Sequence, residues 1–506
     1  MSAAAPSGTE PSRLLARFEA VTTAHPEAVA LVTDDEVVTY GELSRRAHGV
    51  GHALRERNLG GQRIALLSTQ DSRWVESFFG ITLAGSVAVP LSHLHPEPER
   101  AWFVAESEAA AVVSSEDFSD AARACAGGRP VLGVESLRRG PAPVRGDHVS
   151  TSETALILYT SGTTGKPKGA LITHDNLGWL AELVARAWEW QSGDALLHAL
   201  PLHHLHGLGI SLFVSLLAGS PSRMLTRFDA ARLWEEMAHA TVLMGVPTMH
   251  KKLLDAFDAA DAATQARWRE HARHLRLVTS GSAALPVRVG QRFAELTGSY
   301  PLERFGMTEI GVGLSNPLHG ERVPGSCGLA FPGMQIRLVR DDGGDAAPDE
   351  PGEIWIRGPT LFAGYDKNPS ATESAFSGDW FKSGDLATQN AAGYVKILGR
   401  TSVDILKSGG YKLSALEIEE VVREIAGVAD VAVIGVPDET WGEIAVAVVI
   451  AQNGVTLDEE GIRSQCKQRI AAYKVPKRVL LVEDFPRNPV GKVIKPELAK
   501  RIRGLL

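Results

Sequence analysis

Residues 154–169 read TALILYTSGTTGKPKG. The first six positions form an apolar run of strand length, and the pattern predicts a buried β-strand ending near Tyr159. Beyond it, Gly162, Gly165 and Gly169 let the backbone approach an anion closely. Successive N–H groups in such a stretch form an anion-binding nest. Thr160, Ser161, Thr163 and Thr164 add hydroxyl donors, and Lys166 and Lys168 add positive charge. The spacing does not match the GxxxxGK-Ser/Thr pattern of the common P-loop. A flexible Gly/Ser linker has a similar composition. Here, however, the chain resumes an ordered pattern at once with GALITHDNL (169–177). The reading is therefore a phosphate-binding loop anchored at both ends.

Working outward, strand-like and helix-like segments alternate. RIALLS (63–68) precedes RWVESFFGITLAG (73–85), and VAVPL (87–91) and AAAVVSS (109–115) follow. The pattern recurs at ATVLMGVP (240–247) and LRLVTSG (275–281). Such alternation predicts an α/β fold in which helices cover parallel sheets. From about residue 325 the texture changes to short strands and turns (MQIRLV, GEIWIRG, YVKILGR), as in a small β-barrel-like part. SALEIEEVVREI (414–425) then reads as a capped amphipathic helix, with Ser414 three residues before Glu417. VADVAVIGV and IAVAVVIA read as strands, and LDEEGIRSQCKQRI as a helix. The expected division is a large N-terminal domain, 1–400, and a small α+β C-terminal domain, 401–506.

At 506 residues the chain exceeds the size at which one core stops growing, which supports two domains. A net charge of −8 provides no general basic field for nucleic acid or an anionic membrane, so neither is an expected partner. An anionic ligand must be met by local cations. Cys125, Cys327 and Cys466 are dispersed, without a CxxC pair, which disfavours disulfide or zinc scaffolding and fits a reducing compartment. The first residues lack a secretory pattern and Glu10 disfavours a transit peptide, so a cytoplasmic location is expected.

Several short strings carry chemistry. In ERFGMTEIG (303–311), Phe305 suits stacking on a base, Thr308 donation to a phosphate, and Glu309 the hard oxygen coordination of Mg²⁺; a solvated turn is the alternative. In WFKSGDLA (380–387), Asp385 is an acceptor suited to ribose hydroxyls, and Arg400 is a basic donor at the domain boundary. RNPVGKVIK (487–495) places Lys492 after a glycine in a tight turn.

Together and in this order, YTSGTTGKPKG, RFGMTE, GEIWIRG, FKSGDL, GRTSVDILKSGGYKLSALEIE and PRNPVGK resemble the adenylate-forming superfamily of acyl-CoA synthetases, peptide-synthetase adenylation domains and luciferases. The resemblance spans about Val32 to Lys495. It implies ATP, Mg²⁺ and coenzyme A as partners of a small-molecule carboxylic acid. It assigns nucleotide phosphates to residues 160–165 and Lys168. Ser282, Ala283, Arg304, Phe305, Gly306, Met307 and Thr308 would complete the nucleotide site, with Glu309 toward the metal, Asp385 and Arg400 on the ribose, and Lys492 at the α-phosphate. It further implies that the C-terminal domain rotates about a hinge within 400–404. That rotation would bring KSGGYK (407–412) to the thiol step, so His204, Lys407, Ser408, Gly409, Gly410 and Tyr411 are expected on the coenzyme A side. No side-chain nucleophile is needed, since the task is to align two anions and neutralise charge at the α-phosphoryl group.

The strings PLHHLHGL, GVPTMHKKL, TSGSAALP and ERFGMTEIGVGLSNPLHGERVPGSCG resemble the malonyl-CoA synthetase subgroup. This implies that His206 and Arg304, with Ser282, hold the distal carboxylate of malonate, with methylmalonate a second substrate. His250 stands where a tyrosine is more usual, and Phe305 where tyrosine is commoner. From the residues alone, His203, His204 and His206 are core groups, metal ligands or pocket lining, and Arg304 pairs with Glu303, Glu309 or Glu321 or awaits a substrate carboxylate. Protonation of His206 would strengthen its part. A medium-chain or aryl acyl-CoA ligase, and an enzyme loading a carrier protein, stay open as alternatives.

Overall fold

The computed structural model describes residues 10–140, 149–160, 167–401, 403–408, 411–438, 440–487, 491 and 493–505, with Lys407, Tyr411 and Lys412 described by backbone alone. By internal contacts the chain divides into two units, Met1–Gln335 with Ile356–Phe381, and Ile336–Trp355 with Lys382–Leu506.

The first unit is α/β. One seven-stranded sheet has a parallel centre: Arg63–Leu67 lies between Val87–Pro90 and Ala111–Ser114, and Val87–Pro90 pairs in parallel with Thr154–Thr160. These are the apolar runs expected of strands covered on both faces. Beside it, Lys168–Thr173 returns antiparallel to Thr154–Thr160 and sets Thr160 opposite Lys168. The phosphate-loop motif thus connects two paired strands, and residues 161–166 themselves lie outside the described residues. The helix Ser72–Leu83 packs against Tyr40–Glu56 at glycine contacts. A Cβ on Gly80 would fall 2.5 Å from the Val50 side chain, so the two backbones approach closely only because it is glycine.

The nine-stranded sheet runs in parallel through Val29–Val32, Ser222–Met224, Leu196–His198, Val242–Gly245, Leu277–Ser280 and Leu302–Phe305. Leu314–Ser315 and Leu329–Ala330 extend it antiparallel. Of the predicted site residues, His204 and His206 follow Leu196–His198, Ser282 and Ala283 follow Leu277–Ser280, and Arg304 to Glu309 run from the end of Leu302–Phe305 into the turn beyond it. The carboxyl ends of such strands are the edge at which open α/β sheets bind ligands.

The strand Trp380–Gln389 begins in the first unit and runs into the second, where it pairs with Val395–Arg400 and sets Asp385 directly opposite Arg400. Farther on, Ile405–Ser408, Tyr411–Ser414, Val428–Asp438, Gly442–Ala451 and Arg478–Leu481 form a five-stranded sheet. Alternate residues of Val428–Asp438 face two cores. Val431 and Val433 pack with Ile418, Val422 and Cys466, whereas Ala432 and Ile434 pack with Val446, Leu498 and Ile502. The helix Ala415–Arg423 begins where expected, with Ser414 Oγ accepting from Glu417 N at 3.1 Å. The carboxylate of Glu417 is held by Lys474 at 2.6 and 2.8 Å.

Candidate active site

Arg304 sits near the end of the strand Leu302–Phe305 with 4% of its surface exposed. Its Nε and Nη2 are buried and meet no hydrogen-bond partner among the described residues. The neighbouring carboxylates are turned elsewhere: Glu303 Oε1 accepts from Gly325 N at 3.0 Å, and Glu309 Oε1 from the Tyr365 hydroxyl at 2.9 Å. Burial pulls the guanidinium pKa down to about 10, against the opposing influence of Cys327. Two glycines make room for the side chain. A Cβ on Gly281 would lie 2.5 Å from Arg304 Cζ and Nε, and one on Gly306 would lie 3.2 Å from Nη1. A cation shielded this far from water, with donors unsatisfied, is costly unless an anion completes it.

His206 opens a π-helical stretch, His206–Leu212, a geometry that recurs at functional sites. Its Nδ1 lies 3.0 Å from Ser282 Oγ, and its Nε2 is buried without a partner among the described residues. Burial, then the charge of Arg304, pushes its pKa well below the ordinary histidine value. The neutral ring is therefore the favoured form, and Arg304 is the charged group of the pair. In the tautomer with its proton on Nε2, His206 accepts from the Ser282 hydroxyl and presents one further N–H donor. Ser282 holds φ of 68°, a left-handed conformation that a non-glycine residue keeps only where its surroundings enforce it. Ala283 beside it is exposed.

Four further histidines fall into two pairs. His198 and His250 are wholly inside, each held near pKa 4 by burial, with Nδ1 of His198 on Ser211 Oγ and Nε2 of His250 on the Thr279 carbonyl. His203 and His204 lie with rings 4.3 Å apart, and burial lowers both. No group of three His, Cys, Asp or Glu side chains suited to a metal ion occurs among the described residues, so the metal reading of His203, His204 and His206 finds no support.

At the phosphate end, Lys168 Nζ stands 5.1 Å from the centroid of the Tyr365 ring, whose hydroxyl donates to Glu309. Tyr365 thus links the loop lysine to the carboxylate, a connection absent from any local motif. It is placed by the two-residue strand Gly364–Tyr365, which pairs with Lys168–Thr173. The only sequence signal was the short GYD at 364–366. Phe305, Gly306, Met307 and Thr308 are half-buried in the turn that follows Arg304, and Gly311 N bonds to the Met307 carbonyl at 2.9 Å. Glu309 is 5% exposed, and its one hard carboxylate suits a Mg²⁺ ion that takes its other ligands from phosphate and water.

In the second unit, Arg400 Nε lies 3.3 Å from Asp385 Oδ1, so the two predicted ribose groups are brought together. Ser408 pairs with Gly442, and the adjacent Trp441 is 44% exposed with Lys477 Nζ 4.2 Å from its ring centroid. Sequence reading passed over this aromatic–cation pair. Gly409, Gly410 and Lys492 lie outside the described residues, although both neighbours of Lys492 are described.

Comparison with known proteins gives the family. Residues 18–366 match the AMP-binding enzyme family, and residues 417–492 match the AMP-binding enzyme C-terminal domain. The mitochondrial malonate–CoA ligase of Mus musculus is 38% identical over 94% of this chain and 89% of its own. The malonate–CoA ligase of Arabidopsis thaliana is 36% identical over 93% and 82%. The crystal structure of ATP-bound MatB from Rhodopseudomonas palustris superposes with a TM-score of 0.91 at 34% identity, covering 98% of this chain and 99% of that one. The chain belongs to the AMP-binding enzyme family and is an AMP-forming acyl-CoA synthetase, a ligase that works with ATP, Mg²⁺ and coenzyme A.

Proposed function

We propose that the acid activated is malonate, with methylmalonate as a second substrate. The observation that carries this is the buried guanidinium of Arg304, with two N–H groups unmatched among the described residues, next to an equally unmatched His206 Nε2. A buried fork of donors suits a second carboxylate better than a methyl group or an aromatic ring. A medium-chain or aryl acid would leave those donors buried and unsatisfied. The names of the relatives point the same way.

In the first half-reaction a carboxylate oxygen of malonate attacks the α-phosphorus of ATP, and pyrophosphate leaves with the electron pair of the broken P–O bond. Thr160, Lys168 and the loop 161–165 serve the outgoing phosphates. Thr308 and Lys492 serve the α-phosphoryl group, where charge builds up in flight. Phe305 and its turn hold the base, and Asp385 with Arg400 the ribose. Glu309, steadied by Tyr365, would hold the magnesium ion that neutralises phosphate charge. Arg304, His206 and Ser282 fix the distal carboxylate and so aim the proximal one, which is where the rate gain from orientation arises.

In the second half-reaction the thiolate sulfur of coenzyme A attacks the acyl carbon, and AMP leaves. The segment 407–411 and His204 are assigned to the thiol's approach. Trp441 with Lys477 suits the adenine nucleotide end of coenzyme A through stacking and charge. The C-terminal part beyond Arg400 is taken to move as a domain between the two steps. A carrier-protein thiol would use the same chemistry. The scattered, unbridged cysteines fit a reducing compartment such as the cytoplasm, and no helix among the described residues is long and apolar enough to cross a membrane.

The test is ATP–pyrophosphate exchange with acetate, propionate, malonate, methylmalonate, octanoate and benzoate. Malonate is expected to give the highest kcat/KM. A preference for octanoate or benzoate would replace this reading with the medium-chain or aryl one.

A further inference from the structure

Lys495 is the first residue of the helix Lys495–Ile502, a place where the helix dipole disfavours a cation. It is nevertheless buried, with 11% of its side chain exposed. Its Nζ lies 2.5 Å from Asp404 Oδ1 and 2.7 Å from Glu419 Oε1, two carboxylates themselves only 13% and 9% exposed. Glu419 Oε1 also accepts from Val433 N at 2.8 Å, and Asp404 Oδ2 from Arg400 N at 3.2 Å. Burial alone would lower the lysine's pKa, yet Glu419 and Asp404 together raise it. The ammonium is thus a charged tie between the final helix, the helix Ala415–Arg423 and the segment that follows Arg400.

The same stretch of chain is tied a second time. Arg487 bridges to Val493, donates from Nη1 to the Gly491 carbonyl at 2.8 Å and forms an ion pair with Asp430. Ile494 N bonds to the Pro486 carbonyl at 2.8 Å. Residues 491 and 493, on either side of Lys492, are therefore fixed from both directions. Among the described residues, Lys495 ties this stretch back to Asp404, just after Arg400.

We propose that Lys495 is a positioning residue for the adenylation half-reaction: clamped by Asp404 and Glu419, it holds the chain at 493–495 so that Lys492 meets the α-phosphoryl group in register. This rests on the assignment of Lys492 to adenylation. A lysine on a long side chain gains its catalytic advantage only when its backbone is fixed, and a displacement of about 1 Å costs on the order of 10²-fold.

The experiment uses the full-length protein and measures two rates: acid-dependent ATP–pyrophosphate exchange, and transfer from supplied malonyl adenylate to coenzyme A. Lys495→Met is expected to lower kcat for exchange by about 10²-fold. The KM for ATP should hold, transfer should stay within about threefold, and Lys495→Arg should recover most of the exchange. Glu419→Gln, which leaves Asp404 on the lysine, is expected to give a smaller split of the same sign and serves if Lys495→Met loses its heat-unfolding transition. Equal loss in both half-reactions, or unchanged exchange, in whichever of these variants folds overturns the proposal. Lys492→Ala separates the two ideas. Exchange lost in Lys492→Ala but retained in Lys495→Met defeats the positioning role alone, whereas exchange retained in Lys492→Ala defeats the assignment beneath it.

Discussion

Arg304 and Lys495 are both buried cations, and they are satisfied in opposite ways. Lys495 is closed by two carboxylates within 2.7 Å. Arg304 has Nε and Nη2 unmatched among the described residues, and its guanidinium lies against Gly281, where any side chain would collide with it. Desolvation is charged to both, but only Lys495 recovers it within its own chain. A closed ion cluster fixes backbone, and an open one selects a ligand. A third site, in the first unit, resembles the closed kind. Arg46 binds Glu36 through two nitrogens at 2.8 Å and lies 3.5 Å from the wholly buried Glu76, which Arg138 approaches to 3.4 Å. Even there the closure is partial, because burial pushes Glu76 up to about 7 against the pull of Arg138 and Arg46.

The sharpest way to break the contrast is by stability without ligand. Lys495→Met strands Asp404 and Glu419, and should destabilise the part of the protein that contains them by about 3–5 kcal/mol. Arg304→Ala removes an uncompensated charge, so the ligand-free protein should lose less than about 1 kcal/mol or become more stable. Urea unfolding of the two variants checks this. Similar large losses in both would mean that Arg304 is structurally satisfied after all.

A smaller effect sharpens the intermediate case of Glu76. Its folded pKa of about 7 stands above the usual 4.5, so the folded state favours the protonated acid. The stability this provides is complete below about pH 4.5 and is lost as pH rises through 7. Glu76→Gln keeps the neutral form at every pH. Between pH 5.5 and 8 the unmodified protein should therefore lose about 1–2 kcal/mol more than the variant. Parallel stability curves would show that Arg46 and Arg138 keep Glu76 ionised throughout.

Much of the fold was legible because it rests on local patterns. The apolar runs at 63–67, 87–90, 242–245 and 277–280 are strands, and Ser414 starts its helix as the cap spacing predicted. Arg304 was legible as a candidate because a guanidinium beside an aromatic in a ligand-binding string is chemically conspicuous. What makes it a site was not legible. The packing of Arg304 against Gly281, the strained backbone of Ser282 and the lowered pKa of His206 arise from several strand ends at once, and no single segment encodes that combination. The same holds for Tyr365, which reaches Glu309 only because a two-residue strand adds to the edge of a sheet. Lys495 ends the string RNPVGKVIK, but its carboxylate partners come from two distant segments.

The central claim is that Arg304 recognises a second carboxylate, and propionate is the natural control, since it replaces that carboxylate of malonate with a methyl group. The measurement is kcat/KM for malonate and for propionate in the unmodified enzyme and in Arg304→Ala. Loss of a buried charge's partner costs about 3–5 kcal/mol, so the malonate-to-propionate ratio should fall by about 10² to 10³ or more. Propionate itself should change little or improve. A proportional fall for both acids would show that Arg304 supports the pocket without reading the substrate, and would contradict the account.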